Sequence, residues 1–401
     1  MTLFLTGVGT RTGGDAHADA HCDAAAGSRQ IPALDGIRGL AIIWVVFHNA
    51  TGIPLTLPAS RWLHLFPLLA SRGWIGVQLF FALSGFLITA GLLDSQRTAH
   101  YFRNFYAKRA LRILPLYYAV LFALLVVLPH LITPRSHYSH EDQAALWLFV
   151  LNWTNLQPYG FGHFWSLAVE EQFYLFWPLV VCWLPARRLL LVCVWISAGA
   201  LVLRCVLAAC GADPHTLYAN TACRMDALAL GGAGACLLRI PALRQQLLSR
   251  LRVVGTLALV LFLAGVPLTH IYDTDRWTGE TFGYTLLAVC SATLVTAMAV
   301  LPGAQARVGI AAALAWAPLR SCGKYSYAMY VFHNPLHWYL GVPWLVATFG
   351  ERPPEQVALG YALVVLAVSY LLGVVSYHAL EKPCLRLRRF FEPGGRTTAI
   401  S

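Results

Sequence analysis

The sequence predicts an all-α integral membrane protein with about ten transmembrane helices and with its N- and C-termini in the cytoplasm. Composition is the first reason: of the 401 residues, 58% are hydrophobic and only 12% are charged, whereas a soluble domain carries about 25% charged residues. The second reason is a series of apolar stretches, many of them near the ~20 residues that a helix needs to cross a bilayer. The third is the net charge of +11: the arginines cluster between the apolar stretches, as in cytoplasmic loops, and form no separate nucleic-acid-binding domain.

The predicted spans follow from apolar length and from the basic residues between them. A basic segment at 97–112 is assigned to the cytoplasm, which places the N-terminus and Arg38 there as well. The stretch 144–156 is apolar but too short to span, and we expect it to be interfacial or re-entrant. The predicted spans are 37–54, 74–93, 113–132, 167–184, 189–209, 225–238, 253–269, 282–301, 325–345 and 357–380.

Composition divides the chain into three regions. Residues 32–390 form the predicted membrane domain, between a flexible tail at 1–31 and a C-terminal tail at 391–401. The first tail is rich in Gly, Ala, Asp and Thr, which is typical of a segment without a packed core. Four side chains of metal-ligand type lie in it: His17, His21, Cys22 and Asp23. We favour a tail over a metal site there. Because the ten cysteines include no Cys-x-x-Cys pair, we expect neither a zinc site nor a disulfide framework.

The first span carries an arginine near its start and a histidine deep inside it. Between Arg38 and His48 no residue is charged or strongly polar, and the two lie about 15 Å apart along a helix axis. An ionisable group inside a membrane helix is costly and is therefore a candidate for function. The alternative is an arginine that reaches the membrane surface and a histidine that only packs; this helix alone does not decide between them.

A second group of polar side chains stands at the start of the fourth span. His163, Ser166, Glu170 and Tyr174 are three or four residues apart, so a helix puts them on one face. A carboxylate there could orient a histidine or act as a base. The alternative is a pair of interfacial glutamates in an aromatic belt; we favour function.

Two shorter motifs are candidate ligand contacts. Arg109 and Arg112 lie one helical turn apart before the third span, a spacing that can clamp a phosphate, although a cluster that only sets membrane orientation would look similar. In the second span, Ser84 and Gly85 allow close backbone approach, so we expect packing or a ligand contact. A nucleophilic Ser84 is disfavoured because the Gly-x-Ser-x-Gly motif is absent.

Polar residues also occur in the sixth and ninth spans. Arg224 and Asp226 begin the sixth span, and we expect them to form a structural salt bridge. His333 lies near mid-membrane in the ninth span. It lines the same cavity as His48 or hydrogen-bonds a neighbouring helix, and the sequence leaves both open.

Together these segments resemble the acyltransferase-3 family of integral membrane O-acyltransferases. The resemblance runs in family order from about residue 32 to 390. The motifs that carry it are Asp35-Gly36-x-Arg38-Gly39 with His48, Phe81-x-x-Ser84-Gly85-Phe86, Arg109-x-x-Arg112 with Pro115 and Tyr118, Trp165-Ser166-Leu167-x-x-Glu170-Glu171-Gln172-Phe173-Tyr174, Arg224-x-Asp226, and Ser326-Tyr327-x-x-Tyr330-x-x-His333.

The resemblance implies a multi-pass enzyme of the cell (inner) membrane, embedded in the lipid bilayer, with acyl-CoA as co-substrate. The donor is usually acetyl-CoA supplied from the cytoplasm, and no cofactor is bound permanently. The acceptor would be a hydroxyl of a carbohydrate or of a glycosylated or polyketide small molecule, with no nucleic-acid partner. Many relatives carry a fused C-terminal domain; because this chain ends soon after Arg389, we expect a stand-alone membrane domain.

The resemblance also carries roles onto named residues. The paired arginines match Arg109 and Arg112, and with Arg38 we expect them to hold the phosphates of coenzyme A. The pantetheine arm would then pass Ser84 and Gly85 on its way into the membrane.

The family's catalytic residues match Arg38, His48 and Glu170. We expect His48 to act as general base on the acceptor hydroxyl or to take the acyl group transiently. Glu170 would orient His48 or bind the acceptor, and the sequence does not separate these two roles. The rival function is a membrane carrier or flippase for a glycolipid or small acid, since intramembrane Arg and His also suit transport. The sequence shows no inverted repeat of transporter type, which counts against a carrier.

Overall fold

The computed structural model describes residues 31–51, 65–131, 138–270, 272–274, 276–301, 309–350 and 355–391. Every regular element in these ranges is helical, so the predicted all-α class is confirmed. The candidate metal ligands His17, His21, Cys22 and Asp23 lie outside the described residues.

The described part of the first half of the chain forms seven helices. The fourth continues past its end through a π-helical turn at Phe122–Val127 to Leu131. The helices are α1 (Pro32–Ala50), α2 (Leu65–Ser71), α3 (Ile75–Ser95), α4 (Tyr101–Leu121), α5 (His140–Trp147), α6 (Trp165–Trp183) and α7 (Ala186–Ala209).

Ten further helices follow in the described part of the second half. Three π-helical turns, Gly279–Gly283, His337–Gly341 and Tyr377–Glu381, adjoin them. The helices are α8 (Pro214–Ala219), α9 (Thr221–Arg239), α10 (Pro241–Ser249), α11 (Leu251–Leu268), α12 (Tyr284–Val300), α13 (Gly309–Leu314), α14 (Ala317–Leu336), α15 (Val342–Phe349), α16 (Glu355–Ser376) and α17 (Lys382–Arg386).

Six helices in the described residues are long and apolar enough to cross a membrane, or seven if the pair that bends by 101° after Arg239 counts as one span. The prediction of about ten spans is therefore supported for six or seven. Three of the other predicted spans correspond to α1, α6 and α14, which are long enough to cross a membrane but are less apolar than the six. Each of the three carries polar side chains, such as Arg38, Glu170 and His333, that lower its hydropathy.

The segment predicted to be interfacial is confirmed as too short to span. It contains the eight-residue α5 and a short 3₁₀ turn at Leu151–Trp153. Ser139 and Asp142 form a capping box at the start of α5, since the Ser139 hydroxyl accepts from the Asp142 backbone N–H at 3.0 Å, which satisfies a free helix N–H. Asn152 then donates to Thr221 at 2.7 Å, so this segment joins the start of α9.

Helices α3 and α9 approach each other so closely that small residues are required between them. A Cβ at Gly85 would lie 1.9 Å from the carbonyl oxygen of Leu228, and one at Gly231 would lie 2.1 Å from that of Ala82. The two glycines thus face the partner backbone from opposite sides of the contact. The tight packing of α3 on α9 fixes where Ser84, next to Gly85, points.

Candidate functional site

A pocket opens between α1, α3, α4, α6 and α14, and we call it the arginine pocket. It contains about 770 Å³ of space, open solvent at its mouth included. Apolar residues of α3 form part of its wall. Its polar lining residues are Arg38, Ser84, Arg109, Arg112, Ser166, Glu170, Tyr174, Ser326, Tyr327 and Tyr330.

A carboxylate–hydroxyl cluster occupies the middle of the arginine pocket. The Ser84 hydroxyl donates to Glu170 Oε1 at 2.7 Å. The Tyr174 hydroxyl lies 3.2 Å from Glu170 Oε2 and 3.0 Å from Ser84 Oγ. Both carboxylate oxygens therefore have hydroxyl partners, and Ser84 donates its proton to Glu170 rather than being activated as a nucleophile by a histidine.

Three guanidinium groups line the same pocket. The Arg109 guanidinium lies over the Tyr174 ring, 4.6 Å from the centroid, so this cation and the Glu170 cluster share one tyrosine. Arg112 follows one turn later on α4. Arg38 makes a hydrogen-bonded ion pair of 3.0 Å with Asp35, and 27% of its side chain stays exposed. The pocket is thus strongly cationic and open to an anionic ligand.

Behind the pocket wall, α6 and α14 are joined by a buried network. The hydroxyls of Ser166 and Tyr330 are 2.6 Å apart, and the Tyr330 hydroxyl donates to the His163 carbonyl oxygen at 2.8 Å. His163 Nε2 lies 2.9 Å from the Tyr330 carbonyl, and its Nδ1 lies 3.1 Å from the Asn334 amide. Burial lowers the pKa of the His163 imidazole, in the turn before α6, well below its usual value. A neutral His163 that donates from Nε2 and accepts at Nδ1 satisfies both contacts.

The four side chains predicted to share one face at the start of the fourth span do not all line the arginine pocket. Ser166, Glu170 and Tyr174 line the arginine pocket, whereas His163 lies behind it. Sequence reasoning assigned no role to Tyr330, which closes the wall next to Ser166. Its position three residues after Tyr327 was the available signal, since that spacing places both tyrosines on one helix face.

His48 lies in a different pocket, which we call the His48 pocket. Its Nδ1 is buried, with no hydrogen-bond partner in the described part of the chain. Glu170 lines the arginine pocket instead, and its hydrogen bonds in the described residues are with Ser84 and Tyr174, not with His48. The lining residues of this pocket are His48, Trp74, Pro214, His215, Tyr218 and Thr274.

His333 lines neither of these two pockets. It is fully buried, and its Nδ1 lies 2.7 Å from the carbonyl oxygen of Tyr330 on its own helix. Its ring stands edge-on to that of His163, with centroids 4.9 Å apart. His333 on α14 thus packs against His163, which lies just before α6.

The predicted salt bridge between Arg224 and Asp226 is wrong. Asp226 pairs with Arg204 of α7 at 2.8 Å, and both side chains are fully buried. Thr285 donates to the same carboxylate oxygen at 3.0 Å. Neighbours in sequence need not be partners, because two residues two positions apart on a helix point in different directions. The signal for Arg204 was an arginine inside the predicted fifth span.

Gly85 packs against the backbone of Leu228 and does not line the arginine pocket. Of its two expected roles, the structure favours packing. For metals, the described residues contain no group of three His, Cys, Asp or Glu side chains placed to hold an ion.

Comparison with known proteins shows the family of the chain. A family model described as an acyltransferase domain matches residues 31–378, which include both pockets. The chain belongs to the acyltransferase-3 family. This confirms the resemblance noted in the sequence and places the chain among membrane-bound O-acyltransferases.

Relatives of this acyltransferase-3 chain come from several bacteria. The protein YrhL of Bacillus subtilis is 27% identical over 378 residues, which cover 88% of this chain and 55% of YrhL. The O-acetyltransferase OatA of Staphylococcus aureus is 26% identical over 392 residues, 88% of this chain and 57% of that protein. The peptidoglycan O-acetyltransferase OatA of Listeria monocytogenes is 25% identical over 377 residues, with 88% and 56% covered. This chain thus spans little more than half the length of these curated relatives.

Proposed function

We propose that this chain transfers an acetyl group from acetyl-CoA to a hydroxyl of a carbohydrate at the membrane. The observation that carries the proposal is the arginine pocket, where three guanidinium groups adjoin the Glu170 cluster. Family membership supports acyl transfer as the reaction. The names of the relatives, O-acetyltransferase and peptidoglycan O-acetyltransferase, support acetyl as the group and a carbohydrate as the acceptor.

The arginine pocket is the donor end of the proposed site. Coenzyme A carries several phosphates, and guanidinium groups bind phosphate oxygens through charge-assisted hydrogen bonds. Arg109 and Arg112 clamp the phosphates from one helix, while Arg38 approaches from α1. The thioester arm then lies along Ser84, which Glu170 and Tyr174 hold in place.

The His48 pocket is the acceptor end. The oxygen of the acceptor hydroxyl attacks the thioester carbonyl carbon, a new C–O bond forms, and the C–S bond breaks. The His48 imidazole takes the hydroxyl proton as general base, and the proton finally resides on the coenzyme A thiol. In the alternative order, His48 first carries the acetyl group and then passes it to the hydroxyl. In both orders Glu170 acts by positioning Ser84 and Tyr174.

The test is acetyl transfer by purified protein in lipid nanodiscs, followed by thiol release from acetyl-CoA and by product mass. We expect the wild type to release thiol, and His48→Ala to lose about 100- to 10,000-fold in rate. Arg109→Ala should raise the KM for acetyl-CoA. Arg187→Ala, an exposed arginine at the start of α7, is the matched control and should change nothing.

The outcomes separate the enzyme from the carrier. A wild-type protein that binds acetyl-CoA but releases no thiol with any carbohydrate would overturn acyl transfer and leave transport. A folded His48→Ala variant with wild-type rate would remove His48 from the mechanism. Equal effects of the Arg109 and Arg187 substitutions would remove the arginine pocket as the donor site.

A further inference from the structure

Arg224 is a fully buried arginine whose guanidinium has no hydrogen-bond partner among the residues that the structure describes. Its side chain is 0% exposed. Its Nε and both Nη atoms have no acceptor within the residues that the structure describes, although a guanidinium has five N–H donors. Asp226, two residues on, is already bonded to Arg204 and Thr285. Buried cations are normally paired, and in the described part of the chain no carboxylate is hydrogen-bonded to the Arg224 guanidinium.

Aromatic rings surround the Arg224 guanidinium, and we call this set the Arg224 box. The ring faces attract the cation but offer its N–H groups no carboxylate oxygens. Arg224 also lies in the first turns of α9, whose N-terminus adds positive potential. The box consists of Trp74, Phe81, Trp165, Tyr218 and Tyr284, with centroids 6.0, 5.9, 5.6, 5.3 and 4.3 Å from the guanidinium carbon.

The Arg224 box lies between the two pockets. Phe81 belongs to the box and also lines the arginine pocket. Trp74 and Tyr218 belong to the box and also line the His48 pocket. These rings cover Arg224 completely, so a ligand in the His48 pocket would reach the guanidinium only if the side chain of Tyr218 or Trp74 turned aside.

We propose that the Arg224 box and the His48 pocket form a subsite for a carboxylate on the acceptor, so that the acceptor is an acidic carbohydrate. This rests on the proposed function, because it names the class of acceptor. A planar carboxylate accepts two parallel hydrogen bonds from one guanidinium, and its single charge matches a single arginine. The multiply charged phosphates of the donor match the three arginines of the other pocket instead.

The experiment measures binding of methyl glucuronide and its neutral amide, methyl glucuronamide, by calorimetry. The protein is held in phosphatidylcholine nanodiscs, which supply no anionic lipid. The two sugars differ only in the charged group. We expect the wild type to bind the acid about 10- to 100-fold more tightly than the amide, as charge-assisted hydrogen bonds predict. Arg224→Met should abolish this preference, and Arg224→Lys should keep part of it.

Two controls make the result decisive. Arg187→Met removes an exposed arginine of α7 and should keep the full preference. Arg38→Met alters the arginine pocket and should also keep it, which separates the two anion sites. If Arg224→Met does not fold, the wild-type comparison and Arg224→Lys still decide.

Equal binding of acid and amide by the wild type would overturn the carboxylate subsite. So would an Arg224→Met variant that folds, loses thermal stability and keeps the preference, since Arg224 would then be purely structural. These measurements need no acetyl transfer. Their failure is therefore distinct from failure of the proposed function, which thiol release decides.

Discussion

Glu170 connects side chains from three helices, α3, α4 and α6, in the arginine pocket. It accepts from Ser84 and lies against Tyr174, whose ring also holds Arg109. One carboxylate therefore positions a hydroxyl on α3, a phenol on its own helix and, through the phenol, a cation on α4. Its neighbour Glu171 carries the same side chain but does not line the pocket.

Replacing Glu170 by Gln should lower kcat/KM for acetyl transfer by about 10- to 100-fold. The amide keeps the shape of the side chain but loses the charge that strengthens both hydrogen bonds. Thiol release from acetyl-CoA measures the effect. Glu171→Gln is the matched control, with a smaller change expected. Equal losses in both variants would show that pocket geometry does not set the role of Glu170.

At the scale of helices, the close contact between α3 and α9 fixes the position of Ser84 in the arginine pocket. Gly85 packs directly on the α9 backbone, while Ser84 on the adjacent position faces the arginine pocket. On the other side of α9, Arg204 and Asp226 join this helix to α7, and Thr285 adds α12. Helix α9, which carries Arg224, is thus packed closely against α3 and bonded to α7 and α12.

Gly85→Val should destabilise the protein and impair activity together. A Cβ there would lie 1.9 Å from a backbone oxygen, so the helices must separate, at a cost of about 1–3 kcal/mol for overpacking. The midpoint of thermal unfolding and the rate of thiol release measure the two effects. Gly91→Ala is the control on the same helix, because a Cβ at Gly91 meets nothing within 4 Å. A Gly85→Val protein as stable and active as Gly91→Ala would refute the close packing.

For the molecule as a whole, the position of the arginine pocket in the membrane matters most. Basic residues near membrane helices favour the cytoplasmic side, and Arg109 and Arg112 lie in the basic segment at 97–112. Acetyl-CoA is a cytoplasmic metabolite, so the proposed donor end requires this orientation. His48, about 15 Å further along α1, then lies deeper in the membrane.

Labelling of introduced cysteines in intact cells tests this orientation. We expect Arg276→Cys, in the loop before α12, to react with a membrane-impermeant maleimide from outside the cell. Arg97→Cys should react only after lysis. The protein without either substitution is the control for its native thiols, of which Cys210 is exposed. The opposite pattern would place the arginine pocket outside and would contradict cytoplasmic acetyl-CoA as the donor.

The sequence by itself determined the class, the family and the local geometry of this protein. Apolar length predicted about ten membrane helices, of which six or seven are supported in the described residues, because the bilayer sets the length of apolar helix that crosses it. Helical spacing put Glu170 and Tyr174 together and Arg109 and Arg112 one turn apart, since residues three or four apart share a face.

Only the tertiary structure decided which distant residues meet. It paired Asp226 with Arg204 instead of Arg224 and placed His48 and Glu170 in different pockets. Such contacts depend on how closely helices far apart in the chain can pack. That distance is set by side-chain volume at the interface, as at Gly85, and the periodicity of a single helix does not contain it. That the Arg224 guanidinium has no hydrogen-bond partner in the described residues became visible only once its aromatic neighbours, from four separate segments, were brought around it.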